Sequence, residues 1–579
     1  MVILTVPAIC LAIFPQERPL VRGTYRGPYD EVLAEQVAAA KDGIRTAALL
    51  DGWERWEFWF EHERGALFSE PARLGHLRLN DYGAYGSRDG SLTRDEVVGQ
   101  AVPLLLAEID SPFPGVREAA ALALGRIGEA NGLDALKDLA TDPIAQVRQA
   151  AFLGLGLLDN DRALVFLAEH WSDPGLPTSD RCFAAIGIGL SSRREGGELL
   201  KVSLDRNLKT DRLFGSQEKL LQALIWAAGL QGSEDFVPQL MEAFGELESS
   251  AASASRRVRG LICWALGAIG DPSARPWLSH QLHSNDLLIQ RASAQALGAL
   301  GDPASVPALA ARLLEGGDIQ TMMNCMFAAG RLGGASSEVV FKRFADASTK
   351  HRQLRAAWGL GVGLSQSDSQ ADALFSAFVS RNQIDLFKVD NINDLKIRRD
   401  EERLRGAIAL GLGFYGDQRA VVQLGDTLAV AGINPDFAGY LCMALGRLGG
   451  DKALASMKKF YDTSSAQVDA RRGLAFGLGL HGSKESAAML ARLLIDDRDY
   501  SVRRSAAEAL RLNRDAAAFN QVAAALRQKS TDNNPHRRAH LVLSLGYMGD
   551  PYVGDRLAAM IEFAEFRQEF PLLRALSTY

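Results

Sequence analysis

The sequence is poor in cysteine, and that shortage excludes whole classes of protein. Its 579 residues include only five cysteines, at positions 10, 182, 263, 325 and 442. No two of them form a C-x-x-C pair, which argues against a zinc site or a disulfide framework. The last four fall near the same phase of a repeated helix, so we expect them to be small, buried apolar residues.

The chain also lacks a large net charge and a long apolar run. Its formal net charge is −6 and its isoelectric point is about 5.9, which argues against a large electrostatic surface for nucleic acid. No stretch approaches the ~18 uninterrupted apolar residues expected of a membrane-spanning helix. The composition, 47% hydrophobic and 23% charged, is typical of a folded protein. We predict neither a nucleic-acid partner nor a membrane span.

Residues 1–20 form an apolar N-terminal segment. Positions 2–14 read VILTVPAICLAIF, which is too short to cross a bilayer and is similar to the apolar core of a secretory signal peptide. No Lys or Arg precedes this run, and no small-x-small cleavage site follows it. Two interpretations stay open, the tail of a signal peptide or an apolar arm. We favour an exported or periplasmic protein over a cytoplasmic one.

Glycine is in excess, and the excess is periodic. There are 55 glycines, about 9.5% of the chain against a usual ~7%. An Arg, several small residues and Leu-Gly-x-(Leu/Ile)-Gly recur, most clearly over Arg117–Gly128 and Arg259–Gly270. Such a period, here roughly 32 residues, is typical of a solenoid. Thirteen copies align on what we call the key position, eight residues after the Arg: Gly125, Gly156, Gly189, Gly229, Gly267, Gly298, Gly330, Gly363, Gly413, Gly446, Gly479, Arg511 and Gly546.

Each copy predicts two helices. The Arg-containing segment is apolar or small at every helical phase, which indicates a largely buried helix. Its closing glycine suits a left-handed position after the helix. Gly-Asp-Pro follows in three copies, at 270–272, 301–303 and 549–551, where Asp is predicted to cap the next helix and Pro to begin it. The key glycine inside the helix predicts close approach between neighbouring helices.

These units resemble HEAT repeats, of the short bacterial kind also found in phycobilisome-lyase-like repeat proteins. Val-Arg pairs at 116–117, 147–148, 258–259 and 502–503 match the start of that family's second helix, VR…AA…ALG…G. The resemblance covers about residues 95–573 and implies an all-α, right-handed α-solenoid of about thirteen helix-turn-helix repeats. It also implies that an Asp pairs with the Arg six residues later. The structural residues are then Arg117, Arg148, Arg259, Arg503 and Arg538, with Asp142, Asp497 and Asp532.

Three regions follow from this pattern. Residues 1–20 are the apolar segment, 21–97 a Trp-rich region and 98–579 the solenoid, with a charged insertion at about 380–403. Trp53, Trp56 and Trp59 are spaced along one helical stripe, and we expect this region to cover an open solenoid end. An aromatic contact surface is the alternative. The insertion is predicted to be either a surface loop or a partner contact.

The sequence contains no recognisable catalytic constellation, so we predict no enzyme, no metal and no cofactor. HExxH, P-loop and GxSxG patterns do not occur. Residues 89–96, DGSLTRDE, resemble half of a calcium loop, but Tyr85 would stand at its first ligand position. We predict instead that Ser91 or Thr93 caps the first repeat helix.

The predicted function is a non-catalytic protein–protein interaction scaffold that binds a protein or peptide along the concave solenoid face. The Arg-bearing helices of the family line that face. We therefore predict binding roles for the residues after key positions, together with the tryptophans. The alternatives are a lyase or chaperone-type enzyme of the bilin-lyase kind and a nucleic-acid-binding protein. The candidate binding residues are Arg126, Arg331, Arg447, Phe414, Tyr547, Trp53, Trp56 and Trp59.

Overall fold

The structure is a computed structural model that describes residues 91–551, apart from 209–215, 249–252, 347–351, 383–391, 431, 464–466 and 529–533. Within these residues the chain is a series of thirteen helix pairs. The predicted all-α solenoid is confirmed. The apolar segment, Trp53, Trp56, Trp59 and Asp532 lie outside the described residues.

The first helix of each pair, here called the outer helix, is short and amphipathic. In the first repeat it starts at Arg94–Glu96, passes through a π-helical turn at Val97–Ala101 and ends with Val102–Leu106. The other outer helices are Leu133–Leu139, Asp161–Ser172, Arg194–Leu208, Val237–Glu248, Arg275–Gln281, Val306–Glu315, Ala335–Asp346, Asp368–Asn382, Ala420–Leu428, Asp451–Thr463, Lys484–Asp496 and Ala516–Arg527.

The second helix of each pair, here called the inner helix, carries the repeated Arg and the key position. Consecutive inner helices pack side by side along the whole series. They are Pro114–Ile127, Ala145–Leu158, Thr178–Leu190, Ser216–Gln231, Ser253–Ile269, Leu287–Leu300, Ile319–Leu332, Arg352–Ser365, Ile392–Tyr415, Pro435–Leu448, Val468–His481, Tyr500–Asn513 and Pro535–Gly549. The ninth is the longest because the part of the predicted insertion from Ile392 onward continues into it as helix.

Local sequence signals place the helix ends as predicted. Thr93 caps the first repeat in a reciprocal capping box with Glu96, whose carboxylate accepts the Thr93 backbone N–H at 2.8 Å. Gly128 and Gly270 end their helices with φ of 74° and 78°, where a side chain would be strained. Asp271 caps the following helical turn by accepting the Ser273 backbone N–H, as its Gly-Asp-Pro context predicts.

The key glycines bring inner helices into backbone contact. A Cβ at Gly267 would lie 2.6 Å from the Cα of Ala296 in the next repeat, and one at Gly330 would lie 2.8 Å from the Cα of Gly361. Real Cβ atoms essentially never come so close to another backbone. The predicted reason for glycine inside these helices is therefore confirmed.

The ends of the solenoid meet, which corrects the expectation of an open end. The last inner helix packs on the first in the same way as consecutive inner helices pack on each other. A Cβ at Gly546 would lie 2.5 Å from the Cα of Ala123, repeating the key contact between residues more than 400 positions apart. The Leu92 N–H also donates to the Arg514 carbonyl at 3.1 Å. The thirteen inner helices thus form a closed ring, and we call the contact of repeats 13 and 1 the seam.

Ion pairs between neighbouring repeats, here called the ladder, recur at several junctions of the ring, and one of them crosses the seam. Nε of Arg117 lies 2.7 Å from an Asp142 oxygen in the next repeat, and Nε of Arg148 lies 2.8 Å from Asp180 in the repeat after that. At the seam, Nε of Arg538 lies 2.8 Å from Glu108 of the first repeat. Repeats 13 and 1 are therefore joined by an ion pair in the same way as neighbouring repeats elsewhere in the ring.

The ladder corrects the predicted pairing within a repeat. Arg148 does reach Asp142 six residues earlier, but its Nη1 donates to the backbone carbonyl of Asp142, not to its carboxylate. Arg503 contacts the Asp497 carbonyl in the same way, while the Asp497 carboxylate binds Arg471 of the preceding repeat. The Arg therefore does contact the Asp six residues before it, but through the Asp backbone carbonyl. The Asp carboxylate binds an Arg of the previous repeat instead. Arg259 differs again, since it lies over the Phe244 ring at 5.3 Å.

The third Gly-Asp-Pro site has a further role, and the helix that Asp550 was predicted to cap lies outside the described residues. Asp550 follows the last inner helix and is fully buried at the seam. Its carboxylate binds Nη1 of Arg126 at 3.1 Å, and the Arg126 side chain is 2% exposed. The same tripeptide therefore caps a helical turn in repeats 6 and 7, and after repeat 13 its Asp joins the two ends of the ring.

Candidate binding surface on the inner face of the ring

Two contacts fix which side of an inner helix faces the outer layer. Trp358, five residues before its key position, donates its indole N–H to the Phe341 carbonyl of an outer helix at 3.0 Å. Leu124, one residue before Gly125, lies against Gly132 at the start of the next outer helix. At about 100° per residue, the residue three before the key position lies roughly 160° from both contacts. It therefore faces the ring interior.

These interior residues form a continuous band that we call the inner stripe. It is aliphatic or aromatic in eleven of the thirteen repeats, and the rings of Trp226 and Trp264 lie 4.8 Å apart in it. This band was not predicted above, although it is visible in the sequence as one column of the aligned repeats. Its members are Leu122, Leu153, Ile186, Trp226, Trp264, Gln295, Phe327, Leu360, Leu410, Met443, Phe476, Glu508 and Leu543.

The residues predicted to line the groove lie in two different settings. Arg126 and Tyr547 meet at the seam, with the guanidinium 4.5 Å from the ring centre, and both are buried. Arg447 and Phe414 lie together in repeats 10 and 9, with the guanidinium 5.9 Å from the ring. Arg331 and Arg447 are half-buried, so they remain candidate contacts. Arg126 has the environment of a structural residue.

Charged residues interrupt the apolar inner face beside the seam. In repeat 12, Arg504 and Glu508 form an ion pair at 3.5 Å, and Arg511 replaces the key glycine. Arg504 also acts electrostatically on Glu118 of repeat 1, and the equivalent position of repeat 13, between them in the ring, is the small Ala539. Burial raises the Glu118 pKa to about 7, although Arg504 opposes the shift.

Glu118→Gln is expected to remove a pH dependence of stability. An acid with a raised folded-state pKa stabilises the fold while protonated; that contribution is complete below about pH 4.5 and is lost through about pH 7. A shift of this size corresponds to at most about 3 kcal/mol, so we expect the variant to be about 2 kcal/mol more stable at pH 8 and equal to wild type near pH 4.5. Urea unfolding at both pH values measures this difference, and an equal gain at both would contradict it.

The four cysteines in the described residues are buried thiols. Cys182, Cys263, Cys325 and Cys442 are buried and unpaired by disulfides, which confirms the prediction for these four. Burial raises the thiol pKa of Cys182, Cys263 and Cys325 to about 12. Across the described ranges no group of three or more His, Cys, Asp or Glu side chains could hold a metal ion. Within those same ranges we find no helix with the length and apolar character needed to traverse a bilayer.

Comparison with known proteins gives one family and several solved structures. Residues 102–179 and 246–320 match HEAT repeats. A structure of the CpcE–CpcF complex of phycocyanin lyase from Nostoc is 22% identical, with a TM-score of 0.29 over 42% of this chain and 92% of that chain. An importin beta structure is 13% identical, with a TM-score of 0.33 over 83% and 76%. No curated protein sequence matches the chain.

Proposed function

The chain belongs to the HEAT-repeat proteins, and we propose that it is a non-catalytic scaffold that binds a protein or peptide on the inner face of its ring. HEAT repeats typically mediate protein interaction, and a stack of repeats offers one extended surface. The observation that carries the proposal is the inner stripe. Its aromatic and aliphatic side chains run around the ring from repeat to repeat, whereas the outer helices expose polar residues among isolated apolar ones.

The chemistry of this face suits an amphipathic polypeptide. Large aromatic residues such as Trp226, Trp264 and Phe327 supply the apolar anchors that dominate protein recognition. Arginines flank them, among them the half-buried Arg331 and Arg447, and can pair with carboxylates or backbone carbonyls of a partner. A partner with apolar residues separated by acids fits this arrangement.

Arg331→Glu combined with Arg447→Glu is expected to reduce capture of such a partner at least tenfold, because each change places a like charge against an acidic ligand. The intact chain serves as bait after cross-linking, and quantitative mass spectrometry compares the variant with wild type. The matched control is Arg343→Glu with Arg492→Glu, two exposed arginines of outer helices.

A partner that is lost with the inner pair and retained with the outer pair supports the inner face as the binding surface. Equal loss with both pairs would contradict it and indicate a general effect of charge. Retention with both pairs would contradict it as well. Unfolding midpoints of the two variants should differ from wild type by similar small amounts, since neither pair lies at the seam.

A further inference from the structure

The inner stripe is buried although it faces away from the outer layer. Trp226 and Phe327 are each 1% exposed, and Leu360 and Met443 are fully buried. The contacts of Trp358 and Leu124 direct the opposite side of these helices to the outer layer. The stripe therefore needs cover from inside the ring.

The ring is too wide for its own walls to provide that cover. Helices packed at axial distances of about 8–10 Å, thirteen in a circle, place their axes roughly 17–21 Å from the centre. Subtracting a helix half-width of about 5–6 Å leaves an interior roughly 22–32 Å across. The inner helices pack on their ring neighbours, in consecutive pairs and across the seam. Large side chains on such a wall would be exposed if the interior held only water.

We propose that residues 1–90 of the same chain occupy the ring interior and cover the inner stripe. Both ends of the described chain lie at the seam: Leu92 is bonded to Arg514, and Asp550 is bonded to Arg126. Either flanking segment could therefore enter the ring from there. Length favours residues 1–90 over residues 552–579. A compact segment of 90 residues has a radius of gyration of about 12 Å, which is closer to the size of the ring interior than the roughly 8 Å of a 28-residue segment.

Chemistry also favours residues 1–90. The segment 51–63, DGWERWEFWFEHE, has five acidic residues and one Arg around a tryptophan stripe with a spacing of three. The inner stripe is aromatic in repeats 4, 5, 7 and 11, and the neighbouring inner helices carry two buried arginines, Arg472 in repeat 11 and Arg511 in repeat 12. Residues 552–579 carry four acids and three arginines and no tryptophan, so they match this wall less well.

This inference goes beyond the scaffold function and does not depend on it. If an outside partner binds the inner face, residues 1–90 compete with it and hold the ring in a self-occupied state. If no outside partner exists, the segment is simply the core of the ring. A pull-down tests whether an outside partner binds the inner face. The position of residues 1–90 is tested separately, within the chain itself.

Photo-cross-linking of the full chain tests the occupant directly. Benzoylphenylalanine replaces Phe327 on the inner stripe, and a control replaces Val339, which is 71% exposed on an outer helix. We expect the probe at Phe327 to cross-link to residues 1–90 at least tenfold more often than to 552–579, and the probe at Val339 to show no such preference. Cross-links mainly to 552–579, to a second chain or only to the ring walls would overturn the proposal.

A second variant tests the tryptophans. Trp53→Ala, Trp56→Ala and Trp59→Ala together are expected to accelerate thiol labelling of a Met443→Cys probe at least tenfold, because the stripe loses its cover. Val165→Ala, Val202→Ala and Val339→Ala, three exposed outer positions, are the matched control. Slow labelling in the tryptophan variant would overturn their role. If the tryptophan variant is unfolded, its four buried native cysteines will also be labelled. In that case the photo-cross-link from position 327 in the otherwise unchanged chain decides whether residues 1–90 occupy the ring.

Discussion

Asp550→Ala is expected to lower the free energy of unfolding by about 3–5 kcal/mol, because it removes one partner of a buried ion pair. Asp550 is fully buried, and the Arg126 side chain is 2% exposed. Water does not screen this pair as it screens a surface ion pair. The loss should be concentrated at the seam, since both residues join the last repeat to the first. Urea denaturation followed by circular dichroism measures it.

The shape of the variant gives a second readout. With the seam weakened, repeats 1 and 13 become ends of an open array, and small-angle X-ray scattering should show a larger radius of gyration. The control is Arg275→Ala, which breaks an ion pair with Asp302 whose Arg side chain is 36% exposed. We expect that change to cost about 1 kcal/mol or less. An Asp550 variant no less stable than this control would show that the buried pair does not hold the ring closed.

Closure changes the energetics of a repeat protein. In an open array each terminal repeat has one neighbour and needs a polar covering surface. Here Arg538 of repeat 13 completes the ion-pair ladder on Glu108 of repeat 1, and Gly546 packs on Ala123 as other key glycines pack on their neighbours. Each repeat therefore has two partners, and the ring has no fraying end among its thirteen units.

Much of the fold could be predicted because its signals are local. The period, the key glycines and the Asp271 cap each depend on residues within one unit or its neighbour, where chain spacing limits the geometry. Backbone contact at Gly267 and the capping box at Thr93 confirm those predictions. The inner stripe could also have been predicted from the sequence, since it is one column of the same repeat.

Closure could not be predicted in this way. The ring depends on a small rotation between neighbours that must add up to a full turn after thirteen repeats, and no single unit encodes that sum. Asp550 has the sequence context of the capping residues Asp271 and Asp302, yet it binds Arg126 more than 400 residues away. Arg126 in turn occupies the same column as Arg331 and Arg447, so its sequence position predicted a groove contact rather than a seam.

Gly446→Ala is expected to lower the free energy of unfolding by about 2–3 kcal/mol, although alanine is the better helix former. A Cβ at this position would contact the backbone oxygen of Gly477 and lie 2.7 Å from its carbonyl carbon. Neither group is the flexible end of a side chain, so repeats 10 and 11 must separate. The loss therefore exceeds the ~1 kcal/mol that alanine contributes to an isolated helix.

Gly245→Ala separates the gain in helix propensity from the clash between neighbouring inner helices. Gly245 is exposed in the outer helix Val237–Glu248, and a Cβ there would meet nothing within 4 Å. We expect this change to raise stability by about 0.5–1 kcal/mol through helix propensity alone. Urea midpoints of the two variants should thus move in opposite directions. If both rose, the inner helices would not be held at backbone contact, and the tight curvature that allows thirteen repeats to close would lose its physical cause.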